Sequence, residues 1–198
     1  MVEVAGLSPS SPSYEAYPNR VRFYILPVAC TYGKNERGAV MQVFEVADDS
    51  IKPVMNQLLK GTAFDSFLVR GAEISVFIRI EISGILDKNF YPEKDRDALN
   101  RNYAYWNEIK PFVLSLVKGG RTPGMLKIIF SLTDDAVKAL HDNASAMFLN
   151  LLYEEGKLRF TTAMSQRSFS LDKSADAAFD AYIKNYLNRN GWSVSTLK

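Results

Sequence analysis

Three segments of the chain repeat apolar residues with the period of an α-helix. In each of them, apolar positions recur at intervals of three and four residues, which places them on one face of a helix. The positions are Ile51, Val54, Met55, Leu58 and Leu59 in the first segment, Ile109, Phe112, Val113, Leu116 and Val117 in the second, and Ala175, Ala178, Phe179, Tyr182, Ile183, Tyr186 and Leu187 in the third. We therefore predict three main helices.

The flanking residues predict where these helices begin and end. Asp48-Asp49-Ser50 is expected to cap the first helix. Pro111 fits the second helix only in its first turn, and Lys118-Gly119-Gly120 is expected to end that helix. The third helix follows Ser170 and Asp172 and is predicted to stop at Asn190-Gly191, a signal for a left-handed cap.

Other segments alternate apolar and polar residues, as half-exposed strands do. The clearest alternation runs from Ile74 to Ser83 and predicts one strand. Weaker signals predict strands at 43–46, 67–70, 126–132, 147–154 and 158–164. Glu154-Glu155-Gly156-Lys157 is typical of a hairpin turn. The pattern predicts an α+β fold, with a mostly antiparallel sheet packed by helices on one face.

One part of the chain echoes another at a distance of 86 residues. The segment from Phe44 to Lys52 aligns with Phe130 to Lys138, and both read as strand, acidic cap and helix. Two further strands follow each copy, with Gly71 and Gly156 expected at the turns between them. A duplicated β-α-β-β unit explains the echo, with residues 86–123 as an insertion that carries its own helix. The alternative is that strand-to-helix junctions favour Asp in any protein.

The first forty residues differ from the rest. Residues 1–40 hold four of the eight prolines and a Ser-Pro-Ser-Ser-Pro-Ser run, without sustained periodicity, and regular patterning begins at Met41. Glu36-Arg37-Gly38 can also be encoded by a purine-rich stretch that resembles a ribosome-binding site. We interpret 1–40 as a disordered or non-native extension and 41–198 as a single α+β domain. A genuine disordered tail is the alternative for the extension.

Composition narrows the classes of function. The single Cys30 and single His141 exclude an intramolecular disulfide, a cysteine-clustered zinc site and any chemistry that needs two imidazoles. With 24 Lys and Arg against 22 Asp and Glu, the net charge of +2 supplies no field for strong nucleic-acid binding. We find no membrane-spanning or secretory segment and expect a soluble, cytoplasmic protein that needs no cofactor.

The insertion concentrates aromatic side chains among cations. This combination is typical of surfaces that anchor protein partners or stack on bases, while packing into the core is the alternative. The candidate binding residues are Tyr103, Tyr105, Trp106, Lys110 and Arg121.

Three other candidates have structural explanations. Lys118-Gly119-Gly120-Arg121-Thr122-Pro123 resembles a phosphate-binding loop, but it follows a helix, so a helix C-cap explains it better. The acidic pairs Asp48-Asp49 and Asp134-Asp135 lie where helix N-termini need acceptors. His141 lies at the edge of an apolar helix stripe, with no Ser or Cys nucleophile motif near it. We therefore predict no catalytic residue and no metal site.

Four motifs resemble a known family. They are Phe64-Asp65-Ser66-Phe67-Leu68, Asp87-Lys88-Asn89-Phe90-Tyr91, the segment from Tyr105 to Phe112, and Lys118-Gly119-Gly120-Arg121-Thr122-Pro123. Together these motifs resemble a family of uncharacterised proteins from clostridia and their relatives, a domain of unknown function. The resemblance covers about 41–192 and implies a bacterial protein, but it implies no activity, ligand or catalytic residue.

The function expected from the sequence is that of a non-catalytic binding or protein-interaction module. One alternative is a small-molecule enzyme that uses Asp, Glu and Lys groups. Another is a clamp-like protein associated with nucleic acid, by analogy with paired β-α-β-β units, although the outward helix residues are not the basic lining that DNA requires. A self-associating structural protein is a further alternative.

Overall fold

The computed structural model describes residues 42–96, 99–118 and 122–197. Within these ranges it contains seven strands and five α-helices. The strands are β1 (Val43–Val46), β2 (Leu68–Ser75), β3 (Arg79–Ser83), β4 (Met125–Ser131), β5 (Ala144–Glu154), β6 (Lys157–Gln166) and β7 (Val194–Leu197). The helices are α1 (Asp48–Leu59), α2 (Glu93–Arg96), α3 (Trp106–Val117), α4 (Asp134–Leu140) and α5 (Ser174–Arg189), with a 3₁₀ turn at Lys88–Phe90.

The strands form one antiparallel sheet in the order β3-β2-β4-β5-β6-β1-β7. This sheet confirms the predicted α+β class. The predicted hairpin is also correct, because β5 and β6 are joined through Glu155 and Gly156, whose φ angles are 51° and 76°. Two positive φ values in a two-residue turn match the right-handed twist of the flanking strands.

The prediction of one strand from Ile74 to Ser83 is wrong. The chain reverses after Ser75, where the amide of Val76 donates to the carbonyl of Ile78 at 3.0 Å, and β3 then pairs back on β2. Phe77 at the turn is 92% exposed. Apolar and polar residues keep alternating through this tight hairpin, because both strands turn the same face of the sheet toward the core. The alternation alone therefore did not reveal that the strand ends at Ser75. Gly71 consequently lies inside β2 and not at the predicted turn.

The two faces of the sheet differ sharply. Ile128, Leu151, Phe160 and Phe44 lie opposite one another on neighbouring strands, and each is 1% exposed or less. The helices pack on this face. Trp106 of α3 meets Phe130 of β4 edge to face at 5.4 Å, and buried residues of α1, α4 and α5 join the same core.

The opposite face is formed by the intervening residues of the same strands. Ile129, Asn150, Thr161 and Val43 make one row across it, and all four are partly exposed. No described helix packs on this side. We call it the open face.

The predicted order of elements in the two units is present, as β1-α1-β2-β3 and β4-α4-β5-β6. Their pairing differs. Strands β4, β5 and β6 are neighbours, whereas β1 pairs with β6, and three strands separate β1 from β2. The second unit therefore separates the first strand of the first unit from its other two strands.

Two predictions about helix ends need correction. The residue before α1 is Ala47, which makes no side-chain cap, and Asp48 and Asp49 occupy the first turn. In α4 the cap is Thr133, whose hydroxyl accepts from the amide of Ala136. These acidic residues therefore act through the helix dipole and not as caps.

The position of Pro111 also differs from the prediction. Helix α3 begins at Trp106, five residues before Pro111, so the proline lies inside the helix and not in its first turn. Pro111 lies on the solvent-exposed side of α3. On that side water can replace the hydrogen bond that proline cannot donate. The C-terminal cap is confirmed as predicted, because Gly191 follows α5 with a φ of 74°.

All described residues belong to one compact unit. The predicted extension at 1–40 lies outside the described ranges. Within those ranges, no helix is both long and apolar enough to cross a membrane.

Candidate functional site

A β-bulge in β2 aims Arg70 at the open face. Val69 pairs with Phe130 and Gly71 pairs with Ile129, so Arg70 is an extra residue with no partner of its own on β4. Bulges re-aim one side chain and are frequent beside functional sites. Here the bulge places a cation next to the row that holds Ile129.

Three side chains surround the Arg70 guanidinium. Its Cζ lies 3.7 Å from the ring centre of Tyr103 and 5.5 Å from that of Phe148. Its Nε donates to Oγ of Ser131 at 2.9 Å, and Ser131 is buried. We call these four residues the Arg70 cluster. Stacking on aromatic rings and one fixed hydrogen bond hold the guanidinium plane in a single orientation.

Arg70 differs from the other arginines on the strands. Arg159 pairs with Glu45 at 2.8 Å and Arg79 pairs with Glu73 at 2.5 Å. In the part of the chain that the structure describes, Arg70 has no carboxylate partner and uses only Nε in a hydrogen bond. The Arg70 cluster therefore carries a positive charge that no carboxylate of these residues neutralises.

Two of the predicted binding residues, Tyr103 and Tyr105, stack on different arginines. Tyr103 belongs to the Arg70 cluster, whereas Tyr105 lies under Arg101, with 4.5 Å between Cζ and the ring centre. Arg101 also holds Glu108 through two hydrogen bonds of 2.7 and 2.6 Å, which lower the pKa of the Glu108 carboxyl. Glu108 in turn accepts from the amide of Tyr105 at 2.7 Å. This network fixes the start of α3.

The other predicted residues are placed differently. Trp106 is completely buried, and its Nε1 donates to the carbonyl of Leu58 at 2.7 Å. Lys110 donates to Asp65 and to the carbonyl of Gly61, so it stabilises the loop after α1. Arg121 lies outside the described residues. Of the four that the structure describes, Tyr103 alone contributes to the Arg70 cluster.

A shallow groove of about 820 Å³ lies between α1, the end of α3 and the β5–β6 hairpin. Its floor is apolar and includes Ile51, Met55 and Tyr153. Its charged residues are Asp48, Lys52, Glu155 and Lys157, two of each sign. No hydrogen bond or ion pair joins these four charged side chains to one another in the described structure, so they do not form a convergent acid–base group.

The fold also brings a serine to His141, which the sequence analysis did not foresee. His141 ends α4, and its Nε2 lies 3.1 Å from Oγ of Ser174 at the start of α5. Ser174 Oγ donates to Asp172 at 2.7 Å, and the amide of Ser174 donates to the other oxygen of the same carboxylate. These bonds lower the pKa of Asp172, with His141 as a smaller contributor.

The direction of these hydrogen bonds opposes nucleophilic catalysis. The amide of Asn143 donates to Nδ1 of His141, so in the neutral ring Nε2 carries the proton and donates to Ser174. A catalytic histidine must instead accept the serine proton at that nitrogen. The three residues join α4 to α5. Within the described ranges, no three His, Cys, Asp or Glu side chains are grouped as metal ligands.

Arg70 is the residue that the sequence analysis missed. Its contacts come from three segments, with Tyr103, Ser131 and Phe148 separated from it by 33, 61 and 78 positions along the chain. One local signal was present, because a glycine inside a strand pattern, as in Arg70-Gly71, often marks a bulge.

Comparison with known proteins identifies a family. No curated protein and no solved structure matches the chain. A family model described as "Family of unknown function (DUF5721)" matches residues 57–194, which include the whole Arg70 cluster and the four motifs noted above. The chain therefore belongs to this family of unknown function, as those motifs predicted.

Proposed function

We propose that this chain is a non-catalytic protein-interaction module that binds its partner on the open face of the sheet. The observation that carries the proposal is the Arg70 cluster, in which two aromatic rings hold a cation on that face and no described carboxylate pairs with it. Arginine and aromatic side chains are the types that dominate binding energy at protein interfaces.

The other features of the open face support the same proposal. Its apolar residues, among them Ile129, Leu152 and Val43, are interspersed with Asn150 and Thr161. A mixture of apolar and polar groups is typical of non-obligate interfaces. The Ser174 and His141 pair, which is the arrangement closest to an active site in the described structure, has its hydrogen bonds directed against catalysis.

The proposal can be tested with two matched substitutions. Asn150→Arg adds a long side chain to the centre of the open face, and Asn185→Arg adds the same side chain to the exposed side of α5. In quantitative affinity capture from native-host extract, we expect Asn150→Arg to lose proteins that Asn185→Arg and the unmodified chain retain. Capture of the same proteins by both variants, each folded by circular dichroism, would refute binding on this face.

Self-association is the main rival occupant of the open face. Sedimentation velocity across a range of concentrations tests it. A dimer that Asn150→Arg dissociates and Asn185→Arg leaves intact would replace the proposed partner with a second copy of the chain.

A further inference from the structure

We infer that the Arg70 cluster recognises a carboxylate, and that the partner presents it as an acidic side chain in a partly apolar segment. This inference rests on the proposed function and names the chemistry of the partner. It starts from the atoms of Arg70 that remain available. Nε donates to Ser131, and neither terminal Nη group has a hydrogen-bond acceptor among the described residues. Two parallel N–H donors match the two oxygens of one carboxylate.

The surroundings of Arg70 reduce the cost of binding. The Tyr103 ring covers the guanidinium plane at 3.7 Å, and Ser131 holds Nε from a buried position. A side chain that is already ordered loses little rotamer freedom when a ligand binds, so more of the interaction energy appears as affinity. The rings of Tyr103 and Phe148 also exclude water from one side, which strengthens the attraction between opposite charges.

The strand has open space at Gly71, directly after Arg70. Gly71, the next residue along the bulged strand, has no side chain, and a Cβ atom built there would meet only the carbonyl oxygen of Ile82, at 3.7 Å. A partner segment could therefore approach the strand closely at this point. Across β4 and β5 the neighbouring positions are Ile129 and Asn150, so residues next to the acidic side chain would meet an apolar and an amide group.

The charge balance favours a single carboxylate over a nucleic-acid backbone. Arg159 and Arg79 are paired with Glu45 and Glu73, and Lys127 lies directly across from Glu73. Binding a nucleic acid requires several phosphate contacts from neighbouring cations. Among the described residues of the open face, Lys127 and Lys157 make no ion pair, but each lies opposite a glutamate, Glu73 or Glu154. Arg70 has no such glutamate across from it, so the Arg70 cluster suits one carboxylate, and the face does not provide a phosphate track.

The test follows the Nε–H resonance of Arg70 by NMR in the full chain, with Arg70→Gln used to assign it. The probes are N-acetyl-glutamate N-methylamide, the corresponding glutamine compound, inorganic phosphate and a short oligothymidylate. We expect a saturable shift with the glutamate probe and none with the glutamine probe. Arg70→Lys keeps the charge but lacks the two parallel donors, so the dissociation constant of the glutamate probe should rise about tenfold. Because lysine has no Nε–H of this kind, binding to this variant is followed by the amide resonance of Gly71.

Three results would overturn the inference. They are equal shifts with the glutamate and glutamine probes, tighter binding of phosphate or oligothymidylate than of the glutamate probe, and no shift up to the solubility limit of the glutamate probe. The proposed function fails separately. If Asn150→Arg loses the partner while the glutamate probe leaves Arg70 unshifted, the open face binds a partner by other contacts and only the carboxylate inference falls. If Asn150→Arg and Asn185→Arg capture the same proteins, the proposed function itself falls.

Discussion

The guanidinium of Arg70 stacks on the ring of Tyr103, with 3.7 Å between Cζ and the ring centre. The two residues come from a bulged strand and from the insertion after β3, so this contact joins the insertion to the open face of the sheet. The tyrosine contributes an apolar body and a negative ring face, and the arginine contributes the charge.

The first prediction concerns the strength of this contact. A double-mutant cycle of Arg70→Ala and Tyr103→Ala should give a coupling free energy of about 0.5–1 kcal/mol, because the pair is partly exposed. Urea denaturation of the four proteins measures it. Pairing Arg70→Ala with Tyr105→Ala is the control, since Tyr105 stacks on Arg101 and should show no coupling. A coupling energy near zero for the Tyr103 cycle would contradict the assignment.

The second prediction concerns Trp106. Trp106→Phe should lower the free energy of unfolding by about 1–3 kcal/mol, because it removes the donor to the carbonyl of Leu58 and leaves unfilled volume in the core. Phe112→Ala on the same helix is the control. Phe112 is 68% exposed, so its loss should change stability by less than about 0.5 kcal/mol. Similar losses for both variants would show that Trp106 is not the buried anchor of α3.

The third prediction concerns pH. Burial raises the pKa of Asp180 above 3.8, while a 2.6 Å hydrogen bond from Thr162 opposes the rise and the charge of Asp176 adds to it. The folded state therefore binds this proton more tightly than the unfolded state. The stabilising contribution of the protonated carboxyl is complete below pH 3.8 and is lost as the pH rises through the folded-state pKa.

Asp180→Asn keeps an oxygen that accepts from Thr162 and removes the charge. The variant should be at least as stable as the parent at neutral pH, with a flatter dependence of stability on pH in the acidic range. Urea denaturation at several pH values measures this, and the exposed Asp142→Asn is the control. A variant that is clearly less stable than both other proteins at neutral pH would contradict the expected sign.

The fourth prediction concerns Ser174. A fluorophosphonate reagent should leave Ser174 unmodified, because Nε2 of neutral His141 carries a proton and cannot accept the one on Ser174. Intact-mass spectrometry measures the modification, and a serine hydrolase in the same tube controls for reagent quality. An adduct that Ser174→Ala abolishes would contradict this prediction and would favour an enzyme with a serine nucleophile over the proposed function.

Much of the fold was predictable because its signals are local. The helices around Leu58, Val113 and Ile183 lie where apolar spacing predicted them, because each turn of a helix brings another apolar residue to the face that packs on the core. The β5–β6 hairpin was predictable because Gly156 favours a positive φ. The break between β2 and β3 was not predictable. Ile74 and Ile80 lie on the same face of the sheet, and apolar and polar residues alternate between them in the same way whether the segment is one strand or two paired strands.

The candidate site was predictable only in part. Aromatic residues near an arginine drew attention to the insertion, and Tyr103 does belong to the Arg70 cluster. The same pattern could not separate Tyr103 from Trp106, which is buried against Leu58 and Phe130. Both are aromatic residues in one short segment, and which one faces inward depends on the strand that this segment pairs with.

The sequence by itself determined which residues are apolar at regular intervals, and thereby the class of fold, most elements and the family. The tertiary structure decided which face of the sheet the described helices cover, that β1 pairs with β6, and that a bulge at Arg70 meets Tyr103 and Phe148. The physical reason is the separation along the chain of the residues that interact. Periodicity records how a residue relates to its neighbours in one turn or one strand, whereas strand order and the Arg70 cluster depend on contacts between distant segments, which become favourable only when the whole core is assembled.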